Sequence, residues 1–501
     1  MRTLLINPPP VNGIAFTRQG RCQEREEVLG TTKPPYSLLV CAALFRERSL
    51  PFRLIDQTAA KLSTEAVIAQ LEADGFRPEL IVFPSTTPTL DPDVEEMARL
   101  KAHFGAALVA FGPHASTVPA VSMARVPQVD AMIVGEPEDA IVALASAPAF
   151  TPELLASVPA VTWRRGGPGG GAAIVPHTAK GTFAGFQTMP FPAWDLVPLS
   201  HYTLPLAGKP YIIVETSRGC PYSCDFCVAP IHQGHKFRER DPKVIVDEIA
   251  RAKRELGVSH FYLWGDTVTL NAKTFSRFCD ELIARDLDVH WFGNARADNL
   301  TDPVFVERLR KSGCWMLAMG IESASPDTRK DMVKRLEEKK IELAFQNLRA
   351  TGIKSFAFFI YGYPGETVTS MEETTAYAIS LDPDFANFYP AVPYPGTALY
   401  DKSVKEGLLA NEDWSRMEYS YYLLQGNGLD ETVVMSAINR AKRRFFMRPK
   451  YVMRHGTDIL RLLTTKPHIV SGALSQVLFG NKAADTTPAR LGDQQVGLQR
   501  T

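Results

Sequence analysis

Short apolar runs alternate with amphipathic stretches along most of the chain. In the first third the runs fall at Thr3–Asn7, Phe52–Asp56, Leu80–Pro84, Ala107–Phe111 and Ala131–Val134. Between them, apolar residues recur at helical spacing over Tyr36–Glu47, Thr64–Asp74 and Asp93–His103, and again near Glu138–Ala145. Strands that are apolar at nearly every position are buried on both faces, which requires a parallel sheet flanked by helices. The pattern predicts a doubly wound α/β domain whose ligands lie beyond the carboxyl ends of its strands. Asn7-Pro8-Pro9-Pro10, Ser85-Thr86-Thr87, Gly112-Pro113-His114 and Gly135-Glu136 stand at those ends. No G-x-G-x-x-G follows the first strand, so a nicotinamide-type dinucleotide is not indicated.

A glycine-rich stretch, Gly166 to Gly171, reads as a flexible turn or linker, and the proline- and aromatic-rich segment after it as an irregular connection. We set the first domain at residues 1–150 and the linker at 151–204. The alternation then resumes. Strands are expected at Tyr211–Thr216, His260–Trp264, Val289–Phe292, Trp315–Met319, Ser355–Tyr361 and Phe385–Tyr389. Asp241 caps a helix with Pro242 at its first position and Gly257 at its end; others follow at Ala272–Arg285, from Asp302-Pro303 to Gly313, at Glu337–Ala350 and at Val368–Ser380. Six β/α units in succession make a parallel sheet that curls into an open barrel over 205–410, with its chemistry at the carboxyl ends of the strands. Residues 411–480 read as a helical region with a solvated basic face, and 481–501 as a disordered tail.

Composition changes this picture little. The 501 residues hold 55 Lys plus Arg and 55 Asp plus Glu, so no basic excess suggests nucleic acid. No run of about 18 apolar residues suggests a membrane span, and the N-terminus lacks the pattern of a signal peptide. The cytoplasm is the expected compartment.

The cysteines change it a great deal. Of seven, three fall within eight residues: Cys220-Pro221-Tyr222-Ser223-Cys224-Asp225-Phe226-Cys227. Cys41 and Cys279 sit among apolar residues at helical spacing and read as buried, inert thiols. Three thiolates on one loop directly after a barrel strand can hold three corners of an iron–sulfur cubane, leaving the fourth iron to a non-protein ligand. The alternative is a structural zinc site completed by His232. Such a site has no reason to stand at the mouth of a parallel barrel.

The C-x3-C-x2-C cluster, with aromatic Phe226 before its last cysteine, resembles the signature of the radical S-adenosylmethionine (SAM) superfamily. The resemblance implies a 4Fe–4S cluster on Cys220, Cys224 and Cys227 that cleaves SAM to methionine and a 5′-deoxyadenosyl radical. Further segments resemble the family's SAM contacts. Gly265-Asp266 stands where the methionine amino group is met. Arg296 and Gly320-Ile321-Glu322-Ser323 resemble positions near the methionine carboxylate and ribose, and Gly362-Tyr363-Pro364-Gly365-Glu366 the turn beside the adenine. The resemblance covers about residues 205–410.

A doubly wound domain ahead of such a barrel resembles the cobalamin-binding-domain-containing branch of that superfamily. By this resemblance Asn7, Pro8, Ser85, Thr86, Gly112, His114, Gly135 and Glu136 are expected at a cobalamin. The second strand ends Asp56-Gln57-Thr58-Ala59, without the Asp-x-His-x-x-Gly whose histidine binds cobalt from below in methionine synthase, so no protein histidine is expected there; His114 is expected to touch the corrin periphery from a loop. The implied activity is methylation of an unactivated carbon in a small-molecule substrate, with a cyclase or skeletal rearrangement as the alternative. A flavodoxin- or ferredoxin-like protein is the expected reductant. No substrate-side catalytic residue is legible.

Overall fold

The computed structural model describes residues 1–19, 25, 32–166, 173–204 and 207–465. Gly166 is the last described residue before 173, so most of the glycine-rich turn lies outside the described residues, as does the tail expected at 481–501.

The first sheet runs β2-β1-β3-β4-β5-β6-β7. Strands β1 (Thr3–Asn7), β2 (Phe52–Asp56), β3 (Leu80–Pro84), β4 (Ala107–Phe111) and β5 (Ala131–Ile133) are parallel. Strands β6 (Val161–Arg164) and β7 (Ile174–Val175) extend the sheet antiparallel. Part of the segment read as a linker thus belongs to the first sheet. Its strands are too short for their periodicity to stand out.

The second sheet runs β16-β15-β14-β13-β12-β9-β8. A short β8 (Thr203–Leu204) pairs antiparallel with β9 (Lys209–Glu215). Then β12 (His260–Trp264), β13 (His290–Ala295), β14 (Cys314–Glu322), β15 (Lys354–Tyr361) and β16 (Phe385–Pro390) follow in order, all parallel. This is the expected open barrel of six strands. Between β9 and β12, β10 (Ser217–Arg218) pairs antiparallel with β11 (Arg238–Glu239) and closes off the cysteine loop.

Helix ends follow the sequence signals. Asp241 accepts from the Lys243 N–H, Pro242 opens the helix Pro242–Leu256, and Gly257 ends it in the left-handed conformation. Among the described residues no helix is long and apolar enough to cross a membrane.

The two halves share a core. Leu4, Ile6, Phe83 and Leu108 of the first sheet pack in one cluster with Val228 of the cysteine loop and with Val392, Tyr394, Trp414, Met417 and Leu423. The carboxyl ends of the first sheet therefore face the mouth of the barrel.

Candidate active site

The cysteine loop starts at Gly219, whose φ is +83°; a Cβ there would lie 2.3 Å from the Lys236 carbonyl oxygen, so only glycine lets the two legs of the loop cross. Cys220 is buried, Cys224 and Cys227 are half-buried, and none is in a disulfide. Backbone bonds Cys220 N–H to Gly234 O (3.1 Å) and Cys227 N–H to Cys224 O (3.1 Å) set the turn. The loop is tied down from three sides. The Arg296 guanidinium lies 3.8 Å from the centre of the Tyr222 ring. The Tyr363 hydroxyl donates to Asp225 Oδ2 at 2.5 Å. Asp225 N–H donates to Met332 O, and Leu399 N–H to Asp225 O. Burial raises the Asp225 carboxyl above its ordinary range, opposed by the Tyr363 bond. Phe226 packs against the barrel core.

This donor set fits an iron–sulfur cubane: three soft thiols on one braced loop at the carboxyl end of a parallel barrel. A mononuclear metal is served less well. Among the described residues no three His, Cys, Asp or Glu side chains are placed to hold a single ion. His232, the fourth ligand of the zinc alternative, is half-buried with Nδ1 2.8 Å from Ser116 Oγ of the first domain. Desolvation lowers its pKa to about 4.

The expected SAM residues surround the loop. Gly265 follows β12 where a Cβ would meet Ser217 Oγ at 2.4 Å, and Asp266 comes next with a solvent-shielded carboxylate oxygen. Arg296 is a hub: besides stacking on Tyr222 it donates to Asp298 and, through Nη2, to Lys334 O at 3.1 Å. Glu322, at φ +70°, accepts from Lys334 Nζ at 2.7 Å in a buried pair. That pair lies over Gly320, where a Cβ would fall 2.2 Å from Glu322 Oε1. Ser323 Oγ lies 3.4 Å from Glu366 Oε1, and Tyr363 N–H donates to Glu366 Oε2. Desolvation raises the Glu366 pKa to about 7. Gly362 (φ +73°) accepts through its carbonyl from the Tyr422 hydroxyl at 2.8 Å, while Gly365 (φ +97°) completes the turn.

Lys334 was not legible as a site residue, and for Tyr222 and Tyr363, inside segments already singled out, nothing in the sequence signalled their contacts. Lys334 lies in the charge-rich Asp331-Met332-Val333-Lys334-Arg335, which reads as a solvated surface. Only the left-handed conformations of Val333 and Arg335 turn it inward.

The expected cobalamin residues are brought to one end of the first sheet, with differing surroundings. Asn7 Nδ2 donates to Asp56 Oδ1, and Pro8 O accepts from Arg18 and Thr58. The Ser85 N–H donates to Phe111 O, and Thr86 forms a capping box with Thr89. A Cβ at Gly112 would meet Ser85 O at 2.7 Å, and one at Gly135 would meet Gly181 O at 2.5 Å; both glycines are required by close backbone approach. His114 departs from expectation. It sits in the helix Pro113–Thr117, wholly buried, with Nδ1 3.0 Å from Thr87 Oγ1, Nε2 2.8 Å from Ser122 Oγ and its ring edge-on to Trp414. Desolvation lowers its pKa to about 3. It is a satisfied core histidine rather than a loop contact.

Gly112 and Glu136 line a cleft between the halves, opposite Glu215, Arg218 and Trp264 of the barrel. Across it Arg218 donates to Glu136 (3.1 Å), Glu138 (2.7 Å) and Glu215 (2.8 Å), all buried, and Arg238 also pairs with Glu136. Against the cost of burial, the two arginines hold the Glu136 carboxyl below its ordinary range; burial raises that of Glu215.

Comparison with known proteins agrees with this geometry. The radical SAM superfamily profile matches residues 214–378. An uncharacterized methyltransferase of Pyrococcus horikoshii is 26% identical over 470 residues, 92% of this chain and 97% of the relative. An anaerobic magnesium-protoporphyrin IX monomethyl ester cyclase of Cereibacter sphaeroides is 27% identical over 430 residues, 84% of this chain and 68% of the relative. The methyltransferase TsrM of Kitasatospora setae, solved with cobalamin and a 4Fe–4S cluster, superposes with a TM-score of 0.63 at 17% identity, covering 82% of this chain and 76% of TsrM. The cobalamin-dependent radical enzyme OxsB gives 0.67 at 16% identity, covering 94% of this chain and 70% of OxsB.

Residues 214–378, which hold the cysteine loop and most of the barrel, are thus a radical SAM domain. Over most of its length the chain shares the fold of the two cobalamin-dependent enzymes, with an α/β domain ahead of the barrel.

Proposed function

We propose that the protein is a cobalamin-dependent radical SAM methyltransferase acting on an unactivated carbon of a small molecule. The observation that carries this reading is the placement of the cysteine loop at the barrel mouth, directly across a buried interface from the carboxyl ends of the first sheet. When bound, the cluster supplies the electron that cleaves SAM to the 5′-deoxyadenosyl radical, and cobalamin supplies the methyl group. Cys220, Cys224 and Cys227 hold the cluster. Asp266, Arg296, Glu322 and Ser323 meet the amino-acid and ribose parts of SAM, and the backbone at Gly362 and Gly365 the adenine. Asn7, Pro8, Ser85, Thr86, Gly112, Gly135 and Glu136 shape the cobalamin edge. The shared core of the two halves excludes water from between them. A flavodoxin- or ferredoxin-like protein serves as reductant, in the cytoplasm.

A cyclase reading on the same scaffold is favoured by one observation, the Cereibacter relative that matches most of the chain. Product mass separates the two: methyl transfer adds one methylene unit, and cyclisation does not. The first experiment is metal analysis of protein purified without oxygen and supplied with cobalamin. About four irons and four sulfides per chain are expected, lost in Cys224→Ala, with about one cobalt retained. Iron without cobalt would leave a radical enzyme whose first domain has another ligand, and zinc without iron would end the radical reading.

A further inference from the structure

Burial alternates along β13, β15 and β16: outward residues such as Trp291, Phe359 and Phe388 are buried under helices, whereas most inward ones are only half-buried. A barrel filled by its own side chains would bury both sets. The lumen therefore has room, and its lining is aromatic in two groups. On the β12–β14 side, Tyr262 and Phe292 stack with centroids 4.6 Å apart and planes 5° from parallel. Trp264 meets Tyr262 edge-on at 5.1 Å, and Trp315, at the bulge that opens β14, meets Phe292 at 5.7 Å. On β15 and β16, Phe356 lies 4.7 Å from Phe358 and 6.0 Å from Phe385, and Phe358 stacks with Tyr389.

Between these walls runs β14. Register places Ala318 level with Asn294 and Phe356, and Gly320 level with Phe358. On that face Ala318 stands between Met316, level with Phe292, and Gly320, which the Glu322–Lys334 pair covers, so the space between the aromatic sides is a slot whose floor is shallow at Ala318. In its first wall Trp315 Nε1 is a buried donor without a hydrogen-bond partner. An unmet buried N–H of this kind costs about 1–3 kcal/mol unless a ligand accepts from it.

We propose that this slot binds the substrate, and that the substrate is a flat, conjugated, largely apolar ring system with an oxygen or nitrogen acceptor for Trp315. The proposal rests on the reading of the barrel as the active site and names the substrate class of that site. Ring faces and edges gain from stacking beyond the area they bury. A flat molecule entering from the barrel mouth touches both walls, whereas a globular or flexible one of equal polarity cannot.

The test uses cluster-loaded protein with SAM, kept without oxygen, and three carboxylates of different shape: pyrenebutyrate, adamantane-carboxylate and dodecanoate. Energy transfer from tryptophan to pyrene reports the first directly, and competition reports the other two. Pyrenebutyrate is expected to bind at least about tenfold more tightly than either competitor. Ala318→Phe, which fills the floor, should weaken it by about tenfold with four irons still bound, and Phe358→Leu should weaken it in the same direction. Equal binding of the three shapes, or pyrenebutyrate binding unchanged in both variants, would overturn the proposal. The readout needs neither cobalt nor turnover. A protein that retains no cobalt when supplied with cobalamin yet still selects the flat acid would sink the cobalamin-dependent reading and leave the slot standing.

Discussion

Burial raises the Glu366 carboxyl to about 7, against the opposing hydrogen bonds of Ser323, Ser370 and the backbone of the Gly362 turn. Its folded pKa of about 7 exceeds the ordinary 4.5, so the folded chain binds this proton more tightly than the unfolded one. The resulting stability is complete below about 4.5 and is lost as the pH rises through about 7. His114 and His232 act with the opposite sign, since their depressed pKa values of about 3 and about 4 make stability fall as the pH drops below 6.5. A comparison with Glu366→Gln isolates the first effect. Between pH 4.5 and 8, the wild type should lose about 3 kcal/mol relative to the variant in denaturant unfolding; parallel curves would mean that Glu366 is ionised throughout. Tyr363 gives a second residue-scale prediction. Tyr363→Phe removes the donor to Asp225, lowers stability by about 1–3 kcal/mol, and should speed the loss of cluster iron to a chelator. Unchanged release would show that this bond does not brace the loop. Spacing alone pointed to the three thiols that one loop gathers, and apolar surroundings to Cys41 and Cys279 as buried, which they are; burial pushes the Cys279 thiol up to about 12. The braces on the loop were not legible, because Arg296, Met332 and Tyr363 come from separate segments that only folding brings against it.

At the scale of elements, long periodic segments were readable and short ones were not. The helix Pro242–Leu256 announces itself through Asp241, Pro242 and Gly257, and the strands of both sheets through unbroken or aromatic apolar runs. Strands β6 and β7 and the helix Pro113–Thr117 are too short to show a period, so part of the first sheet passed for linker and His114 for a loop residue. The turn between Asp331 and Leu336 was also silent. It places Val333 at φ +54° and Arg335 at φ +46° to aim Lys334 at Glu322. A β-branched residue in that conformation is strained by about 1–2 kcal/mol, partly offset in a glycine variant by the freer unfolded chain. Val333→Gly should therefore raise the unfolding free energy by a fraction of that strain, about 0.5–1 kcal/mol. A clear loss instead would mean that the Val333 side chain contributes more in packing than the turn costs in strain.

At the scale of the whole molecule, the sequence showed two α/β units but not how they join. The joint is made of buried charge as well as apolar contact. Arg218 neutralises Glu136 and Glu138 from the first domain and Glu215 from the barrel, with side-chain exposures of 4% or less for all four. Arg218→Met leaves these carboxylates short of a cation in a dry interface, and should cost about 3–5 kcal/mol of stability. The loss should be larger at pH 8 than at pH 5, where Glu215, already raised by burial, can take up a proton. A cost below about 1 kcal/mol at both pH values would show that water enters the joint.

The apolar part of that joint bears on how such proteins can be taken apart. Tyr394, Trp414, Met417 and Leu423 arise late in the chain yet fill the core beneath the first sheet. A fragment ending at residue 150 would present that greasy surface to water and should precipitate, while the remainder would carry an orphaned plug. Recombining halves of two homologous enzymes would succeed only if residues 390–425 travel with the first 150. The heritable folding module is thus discontinuous, and a crossover at the visible linker would separate its parts.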